Sequence, residues 1–564
     1  MGVTKPKMRP KVMRYTSISN CMLNVIFNTI WKSNQTKCDY RWVLTLDVRS
    51  MNESSLPSIP EYFKGKNVFI TGATGFIGKV LIEKLLRSCP EIGKIYILIR
   101  EKKGKDPAKR IKEMTDLELF DVLKKTYPDN LSKILPIIGD VTEINLGISQ
   151  EDRTKLINEI HIVYHIAASI RFDDPLKYAI LMNTRGTREV LHLVKEIKHL
   201  EVFMHLSTTY CNIDKKVIDE KIYPPHDDWR RAIDLAENAD PRMMDILTPK
   251  FMEPFPNTYT FTKSMGEHVV KDLCEGQIPA IVFRPSIVIC TMTDPFPGWM
   301  DNFNGPVGIL VASGKGVMRS VYADPQIRAD YVPCDSVVKG MIMATWKKAF
   351  ERDAEKYSIS VYNASSYRVQ QVSVGELVHL GKKLCWEMPL NDVIWYPNGS
   401  VTKCWYENYL KLIFYQLLPA LFIDGLLLSL GKKPMLVKIH RRIFIANSAL
   451  AYFLNNQWDF LNNKTLALEN LLHPEDLKAF SYETGSKYAE PYEFFKNGLL
   501  GGRRYLLHEP DSTMEKAVVH SRRMWMIAQV FNSLWYAAAF YILWSIMKMF
   551  ISKLDAIIEY INTP

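Results

Sequence analysis

A tyrosine and a lysine four residues apart, Tyr259 and Lys263, are the pair in this sequence best suited to acid–base chemistry. On a helix, residues at this spacing lie on one face, about one turn from each other. An ammonium beside a phenol favours the phenolate, so we predict that Lys263 lowers the pKa of Tyr259 from its usual value of about 10. Tyr259 can then donate a proton to a carbonyl oxygen as a hydride reaches the carbon, and Lys263 can also reach a nicotinamide ribose.

Hydroxyl side chains follow an apolar run well before this tyrosine. Ser207, Thr208 and Thr209 come directly after Val202–Leu206. Such an apolar run predicts a buried strand, and open α/β sheets bind their ligands outside the carboxyl ends of their strands. A tyrosine and a lysine at this spacing also occur by chance in many helices, but their position after the hydroxyl run favours a catalytic interpretation.

A glycine-rich segment nearer the N-terminus predicts a nucleotide site. Its glycines recur every third residue, between the apolar run 67–70 and the helix-like run 79–86. At such a junction the first glycine permits a tight turn, the second lets the backbone approach a diphosphate, and the third lets helix and strand pack closely. The N–H groups at the helix start supply the anion site. We predict a pyrophosphate site rather than a purely structural turn, with contacts from Gly72, Thr74, Gly75, Phe76, Ile77 and Gly78.

Arg100 indicates which nicotinamide cofactor the site prefers. It ends the apolar run Ile95–Ile99, at a position where a carboxylate would accept a hydrogen bond from the ribose 2′-hydroxyl. An arginine favours a 2′-phosphate instead, so the sequence predicts NADPH. Lys102, Lys103 and Lys105 add positive charge, although a basic run of this kind is also ordinary on a solvated surface.

From Lys64 to about Ala364 the chain alternates between strand-like and helix-like segments. This alternation predicts an α/β fold with a Rossmann-type, doubly wound parallel sheet. Nearly continuous apolar runs fit strands that are buried on both faces. The predicted strands are 68–70, Ile95–Ile99, Ile134–Ile138, 162–166, Val202–Leu206 and 281–283.

After about Val374 the sequence becomes helical and rich in aromatic residues. Its apolar stretch 412–430 contains Asp424 and is uncharged for only twelve residues, short of the about 20 needed to cross a bilayer. We therefore predict a buried or interfacial helix for this stretch.

The segment 524–547 has a different pattern. It contains no charged residue, and tryptophans and tyrosines are interspersed along it, which predicts a transmembrane or deeply embedded anchor. A buried core helix is the alternative. Arg522 and Arg523 precede the segment and favour a cytosolic N-terminal part.

Composition limits the other function classes. The 564 residues include 72 basic and 61 acidic ones, a formal net charge of +11, which suits an anionic membrane surface or a phosphorylated ligand. The basic residues are scattered rather than gathered on one helix, so we predict no nucleic-acid partner. Nine cysteines without a C-x-x-C pair favour reduced thiols facing the cytosol over disulfides or a metal site.

Several local strings resemble the alcohol-forming fatty acyl-CoA reductases, notably the insect-like type, within the extended short-chain dehydrogenase/reductase superfamily. The resemblance covers about residues 57 to 510 and implies a reductase domain followed by that family's helical domain. The strings are KIYILIR at 94–100, HIAASIRFD at 165–173, YTFTK at 259–263, DNFNGPVG at 301–308, LPA at 418–420 and GKKP at 431–434.

The resemblance also implies roles for single residues. Tyr259 corresponds to the catalytic acid, and Lys263 to its electrostatic partner. The hydroxyl of the catalytic group falls on Thr208, with Ser207 or Thr209 as alternatives because the register is open by one residue. The positions that correspond to further cofactor contacts are Asp140, Val141, Ala167 and Ala168.

The activity that the resemblance implies is reduction of a long-chain acyl-CoA by NADPH, through an aldehyde, to a primary alcohol and free CoA. A long acyl chain partitions into membranes with about 0.8 kcal/mol per buried methylene, which gives a reason for an anchored enzyme. We expect a cytosolic catalytic domain on a membrane, with the endoplasmic reticulum favoured and peroxisome or lipid droplet open.

The expected organisation is an extension at 1–56, an NADP-binding reductase domain at 57–374, a helical domain at 375–510 and a membrane anchor at 524–547. Two other functions stay open on the sequence alone. One is another membrane-associated extended reductase, of the hydroxysteroid dehydrogenase or sugar-nucleotide epimerase type, which would share Tyr259 and Lys263. The other is a membrane-tethered nucleotide-binding scaffold without turnover, against which the complete hydroxyl, tyrosine and lysine set argues.

Overall fold

A parallel sheet is the centre of the protein, whose computed structural model describes residues 56–101, 106–367, 371–482 and 490–562. The predictions for residues 1–55 and for Lys102, Lys103 and Lys105 lie outside the described residues. The strands of the sheet are β1 (Val68–Thr71), β2 (Ile95–Ile99), β3 (Ile134–Ile138), β4 (Ile162–His165), β5 (Val202–Leu206), β6 (Ala280–Pro285) and β7 (Ser360–Ala364).

The order of the strands confirms the predicted doubly wound fold. Across the sheet they run β3, β2, β1, β4, β5, β6 and β7, and each neighbouring pair is parallel. The order reverses between β1 and β4, which is the switch point where such sheets bind nucleotides. Pro136 lies within β3, where it is tolerated because β3 is an edge strand.

Helices connect the strands, as parallel pairing requires. Three of the shorter helices in this part are Ile59–Phe63, Asp121–Thr126 and Leu176–Ala179. The longer ones are α1 (Phe76–Ser88), α2 (Pro107–Thr115), α3 (Gln150–Glu159), α4 (Gly186–Val194), α5 (Trp229–Asn238), α6 (Pro241–Phe251), α7 (Thr258–Cys274), α8 (Pro306–Gly314) and α9 (Cys334–Ala349).

The part of the chain after β7 is mainly helical, as predicted. Its shorter helices include Asn463–Ala467 and Pro474–Phe480. Residues Pro57–Pro564 cluster as one compact unit, so the domain boundaries predicted at 374 and 510 stay predictions. The longer helices are α10 (Val374–Glu387), α11 (Trp405–Leu412), α12 (Leu418–Ser429), α13 (Leu436–Leu454), α14 (Pro491–Gly501) and α15 (Met514–Asn562).

Short strand pairs join distant parts of the chain. Val217–Ile218, which follows β5, pairs in parallel with Asp459–Phe460, which follows α13. A similar parallel pair joins Ser320–Tyr322 to Ser400–Thr402. The first pair thus joins the segment after β5 to the segment after α13, and the second joins the segments after α8 and α10.

Candidate active site

A cleft of about 1020 Å³ opens where the strands of the sheet end. Residues that follow β1, β2, β3, β4 and β5 line it, because parallel strands bring their carboxyl ends to one edge. We call it the cofactor cleft. The predicted site residues that line it are Gly72, Thr74, Gly75, Phe76, Ile77, Arg100, Asp140, Val141, Ala167, Ala168, Thr208, Tyr259 and Lys263.

The glycine segment forms a turn that fits a diphosphate. Gly72 has a φ of +75°, and a Cβ at this residue would lie 2.6 Å from the backbone nitrogen of Ala167. Gly75 is the N-cap of α1, so the free N–H groups at the helix start face the cleft. Gly78 is absent from the cleft wall; a Cβ there would lie 2.8 Å from the Cα of Ala73. Gly78 therefore permits the close packing of α1 that its place in the glycine pattern predicts.

Two arginines stand at the end of β2. Arg100 Nε lies 3.6 Å from Asp140 Oδ2, and both residues line the cleft. Arg110, which sequence reasoning missed, also lines the cleft and donates from Nη1 to the carbonyl oxygen of Arg100 at 2.5 Å. Its position in α2, ten residues beyond Arg100, gave no local signal. Glu101 lines the same part of the wall, so positive and negative groups meet there.

Helix α7 places the tyrosine and the lysine. Asn257 caps the helix, and its Oδ1 accepts a hydrogen bond from the backbone N–H of Thr260 at 2.9 Å. Tyr259 consequently lies in the first turn and Lys263 one turn later. Lys263 is buried, and its Nζ donates to the carbonyl oxygen of Leu206 at 2.5 Å. This bond anchors the ammonium at the end of β5, beside the hydroxyl run.

The three hydroxyl residues have different surroundings. Thr208 lines the cleft; its hydroxyl donates to the carbonyl oxygen of Pro285 at 3.4 Å and is near enough to the phenol of Tyr259 to lower its pKa in part. Ser207 also lines the cleft but donates to Glu267 Oε1 at 2.5 Å. Thr209 is buried and absent from the cleft wall. Among these residues, Thr208 is the one whose hydroxyl affects the pKa of the Tyr259 phenol.

The predicted effect of the lysine on the tyrosine is wrong. Burial raises the pKa of Tyr259 to about 12, although the Thr208 hydroxyl lowers it in part. The reason is that burial disfavours the charged phenolate more strongly than the Thr208 hydroxyl favours it. Burial also lowers the pKa of Lys263 to about 8, against the attraction of Glu267. Tyr259 is therefore a phenol at neutral pH, which is the form that can donate a proton.

A buried ion pair that sequence reasoning missed supports this helix face. Arg284 at the end of β6 binds Glu267 through two hydrogen bonds, with Nε to Oε1 at 2.7 Å and Nη2 to Oε2 at 2.6 Å. Burial alone would raise the pKa of Glu267, but the charge and hydrogen bonds of Arg284 lower it below its usual value. The available signal was spacing, because Tyr259, Lys263 and Glu267 recur every four residues along α7.

An aromatic contact also escaped prediction. The ring of Phe172 stacks on that of Tyr259, with centroids 5.9 Å apart, and contacts Phe453 of α13 at 5.4 Å. Phe453 lies near the end of α13, 281 residues from Phe172 in the sequence. No sequence pattern therefore related the two positions. The contact brings an apolar wall from the helical part to the tyrosine.

Comparison with known proteins identifies the family. An NAD-binding family model described as male sterility protein matches residues 70–341, and a second model of the same description matches residues 415–509. Fatty acyl-CoA reductase 1 of Rattus norvegicus is 37% identical over 482 residues, which cover 85% of this chain and 92% of the relative. The chain belongs to the fatty acyl-CoA reductase family. Fatty acyl-CoA reductase 2 of Homo sapiens is 36% identical over 87% of this chain and 94% of its own length.

A solved structure supports the fold of this fatty acyl-CoA reductase family member. The reductase domain of a nonribosomal peptide synthetase from Mycobacterium tuberculosis superposes with a TM-score of 0.53. The superposition covers 80% of this chain and 94% of the solved chain. The sequence identity is 17%, so the likeness concerns the fold alone. The NAD-binding family model and the glycine turn together indicate a nicotinamide cofactor.

Two helical stretches of this family member are long and apolar enough to cross a membrane: Trp405–Ser429 and Asp511–Leu554. The apolar segment of the second stretch is 0% buried. The alternative of a buried core helix for 524–547 is therefore wrong. The apolar segment of the first stretch is only 17% buried. For 412–430 we predicted a buried or an interfacial helix, and the buried alternative is wrong.

Asp424 of the first stretch caps α13. Its carboxylate accepts hydrogen bonds from the backbone N–H groups of Met435, Leu436 and Val437.

Proposed function

We propose that the protein reduces long-chain fatty acyl-CoA to primary fatty alcohol and CoA, with NADPH as the reductant and an aldehyde as the intermediate. The observation that carries the proposal is that Thr208, Tyr259 and Lys263 all line the cofactor cleft of a fatty acyl-CoA reductase family member. Each acyl-CoA consumes two NADPH and two protons. The carbon–sulfur bond breaks after the first hydride addition, and the sulfur leaves as the CoA thiol.

The residues of the cleft divide the remaining work. NADPH, when bound, supplies the hydride of both steps. Tyr259, kept protonated by its raised pKa, donates its proton to the oxygen of the carbonyl being reduced. Thr208, whose hydroxyl lowers the pKa of the phenol in part, is the group that we propose orients it. The Lys263 ammonium, held by Leu206, offsets the negative charge that Tyr259 acquires after proton transfer.

The test of this function is a product assay. Membranes that contain the full chain are incubated with NADPH and a panel of acyl-CoAs, and the lipid products and free CoA are identified. We expect primary alcohols and two equivalents of NADP⁺ per alcohol. Oxidation of a hydroxysteroid or epimerisation of a sugar nucleotide, with no alcohol from any acyl-CoA, would instead favour another extended reductase. Nucleotide binding without turnover of any substrate would favour the scaffold.

NADPH preference is expected to depend on the two arginines at the end of β2. Charge-assisted hydrogen bonds from Arg100 and Arg110 would hold the 2′-phosphate, and loss of one such contact costs about 10- to 100-fold in affinity. The variants Arg100→Ala and Arg110→Ala should therefore raise KM for NADPH by that factor and change KM for NADH much less. Arg242→Ala, an exposed arginine of α6 outside the cleft, is the control. Equal losses with both nucleotides would contradict a 2′-phosphate site.

The rate is expected to fall at alkaline pH because of Lys263. Its pKa of about 8 means that the ammonium is present below this pH and is lost as the pH rises through it. We expect kcat/KM for NADPH, which reports the free enzyme, to fall about tenfold per unit above pH ~8. Tyr259, with a pKa of about 12, stays protonated through this range. In Lys263→Arg the guanidinium keeps its charge, so the decrease of kcat/KM should move to much higher pH. If the decrease stays near pH ~8 in this variant, a group other than Lys263 causes it.

Membrane attachment is proposed with the catalytic part in the cytosol. The exposed apolar stretch Asp511–Leu554 is the proposed anchor, and Arg522 and Arg523 lie at its N-terminal side. The endoplasmic reticulum is the organelle that we propose, with peroxisome and lipid droplet as the alternatives. Fluorescence microscopy of the tagged full chain against markers of the three organelles tests this location.

A further inference from the structure

A second cavity adjoins the cofactor cleft on the side of the helical part. It has a volume of about 150 Å³, and α8, α10 and α13 contribute almost half of its lining residues. We call it the apolar cavity, since mainly apolar side chains line it. The residues that line both the cofactor cleft and the apolar cavity are Tyr210, Ile287, Pro306, Leu450 and Phe453.

A short path of aromatic rings leads from the catalytic tyrosine to this shared boundary. Tyr259 stacks on Phe172, and Phe172 contacts Phe453 at a centroid distance of 5.4 Å. Phe453 in turn packs edge-on against Tyr210 at 5.2 Å. A carbonyl carbon placed beside Tyr259 therefore has an apolar surface on the side that faces the apolar cavity.

One face of α10 forms a wall of the apolar cavity that the cofactor cleft does not share. Five uncharged residues line it at the spacing of a single helix face: Val374, Leu377, Val378, Gly381 and Cys385. The sixth lining residue of α10 is Lys382. Gly381 stands in the middle of this face. Glycine is less favourable than alanine inside a helix, so helix stability does not account for it.

The space around Gly381 differs from that around the other glycines of the described cavity wall. A Cβ at Gly314 would lie 3.0 Å from Leu390, and one at Gly399 would lie 3.3 Å from the Met318 carbonyl oxygen. A Cβ at Gly381 would have no atom within 4 Å. Side chains added at Gly381 thus extend into open space of the cavity instead of colliding with the fold.

We infer that the acyl chain of the substrate enters the apolar cavity and that Gly381 sets the longest chain that fits. The inference rests on the proposed function. The thioester carbonyl lies beside Tyr259, and the chain passes the boundary residues Phe453 and Tyr210 toward α10. Asp330, the buried carboxyl group of the wall, has a pKa raised by burial, which favours its neutral form beside an apolar ligand. Each methylene that the cavity excludes should lower binding about fourfold.

The experiment compares Gly381→Leu with the wild-type chain on saturated acyl-CoAs of increasing length. A leucine side chain occupies about the volume of three to four methylenes in a close-packed wall, so the preferred chain should become about two to four carbons shorter. We expect kcat/KM for the longest substrates to fall about 16- to 250-fold, and that for the shortest to change less than about twofold. His379→Leu, which adds the same side chain to the exposed face of α10, should keep the wild-type profile.

An unchanged chain-length profile in Gly381→Leu, or an equal loss at every length, would overturn the inference. NADPH binding by each variant reports whether the reductase part is folded. If Gly381→Leu does not bind NADPH, Gly381→Ala and Gly381→Val decide by the same criterion, with smaller shifts in the same order. A wild-type chain that makes alcohol from no acyl-CoA would reject the proposed function itself, which is a different result from an active chain with an unaltered profile.

Discussion

The variant Tyr259→Phe is expected to lower kcat for alcohol formation by about 10²- to 10⁴-fold, the contribution of a positioned general acid. The phenylalanine ring keeps the stack on Phe172 and the position at the start of α7, so only the proton donor is removed. The dissociation constant for NADPH should change by less than about twofold, because the substitution removes an interaction that is made in the transition state and not in nucleotide binding. Single-turnover reduction of an acyl-CoA and of the corresponding aldehyde, with NADPH titration by fluorescence, measures both quantities.

Tyr210→Phe provides a matched comparison. Tyr210 is the other tyrosine in the described wall of the cofactor cleft, and its ring packs against apolar neighbours. Removal of its hydroxyl should leave at least about one-tenth of the wild-type rate, since it donates no proton in the reaction. Equal rates for wild type and Tyr259→Phe in both half-reactions would end the acid–base assignment.

The nucleotide-binding half of the site was predictable because its signals are local. A glycine at a left-handed φ, such as Gly72, has to lie in a tight turn, and its neighbours in the sequence define the strand and helix on either side. The apolar runs of the central strands are equally local. Strand β7 was missed since Ser360–Ala364 carries serine and asparagine within its five residues, as edge strands often do.

The electrostatics of the site were not predictable in the same way. The spacing of Tyr259 and Lys263 correctly placed both side chains in one cleft, but it carries no information about burial. Burial decides the sign of the shift: the Tyr259 pKa rises to about 12, where an exposed phenol beside an ammonium would have shown a decrease. The carbonyl oxygen of Leu206, which holds the lysine, is a backbone group that sequence patterns do not reveal.

The helical part was predictable in kind but not in arrangement. Its aromatic and apolar texture indicated helices, yet the apolar cavity depends on α8, α10 and α13 meeting beside the sheet. Asp424 illustrates the limit: as a charge in an apolar stretch it argued against a membrane span, whereas in the structure it caps α13. A capping role becomes visible only when the partner helix is placed.

The buried pair of Glu267 and Arg284 should be the most sensitive point for stability. Their side chains are 3% and 0% exposed, and Arg284 neutralises the carboxylate that Ser207 and Cys211 also contact. In Arg284→Met the carboxylate stays buried without its cation, so the free energy of unfolding should fall by about 3–5 kcal/mol. Urea unfolding of the detergent-solubilised full chain, followed by tryptophan fluorescence, measures the shift.

A surface pair on the same helix provides the control for this loss. Arg230 Nη1 lies 2.8 Å from Asp272 Oδ2 of α7, but the two side chains are 56% and 37% exposed, so Arg230→Met should cost no more than about 1 kcal/mol. The double variant Glu267→Gln with Arg284→Met should recover part of the stability lost in Arg284→Met, because no uncompensated charge remains buried. If Arg284→Met unfolds at the same urea concentration as Arg230→Met, the pair does not support the face of α7 that carries Tyr259 and Lys263.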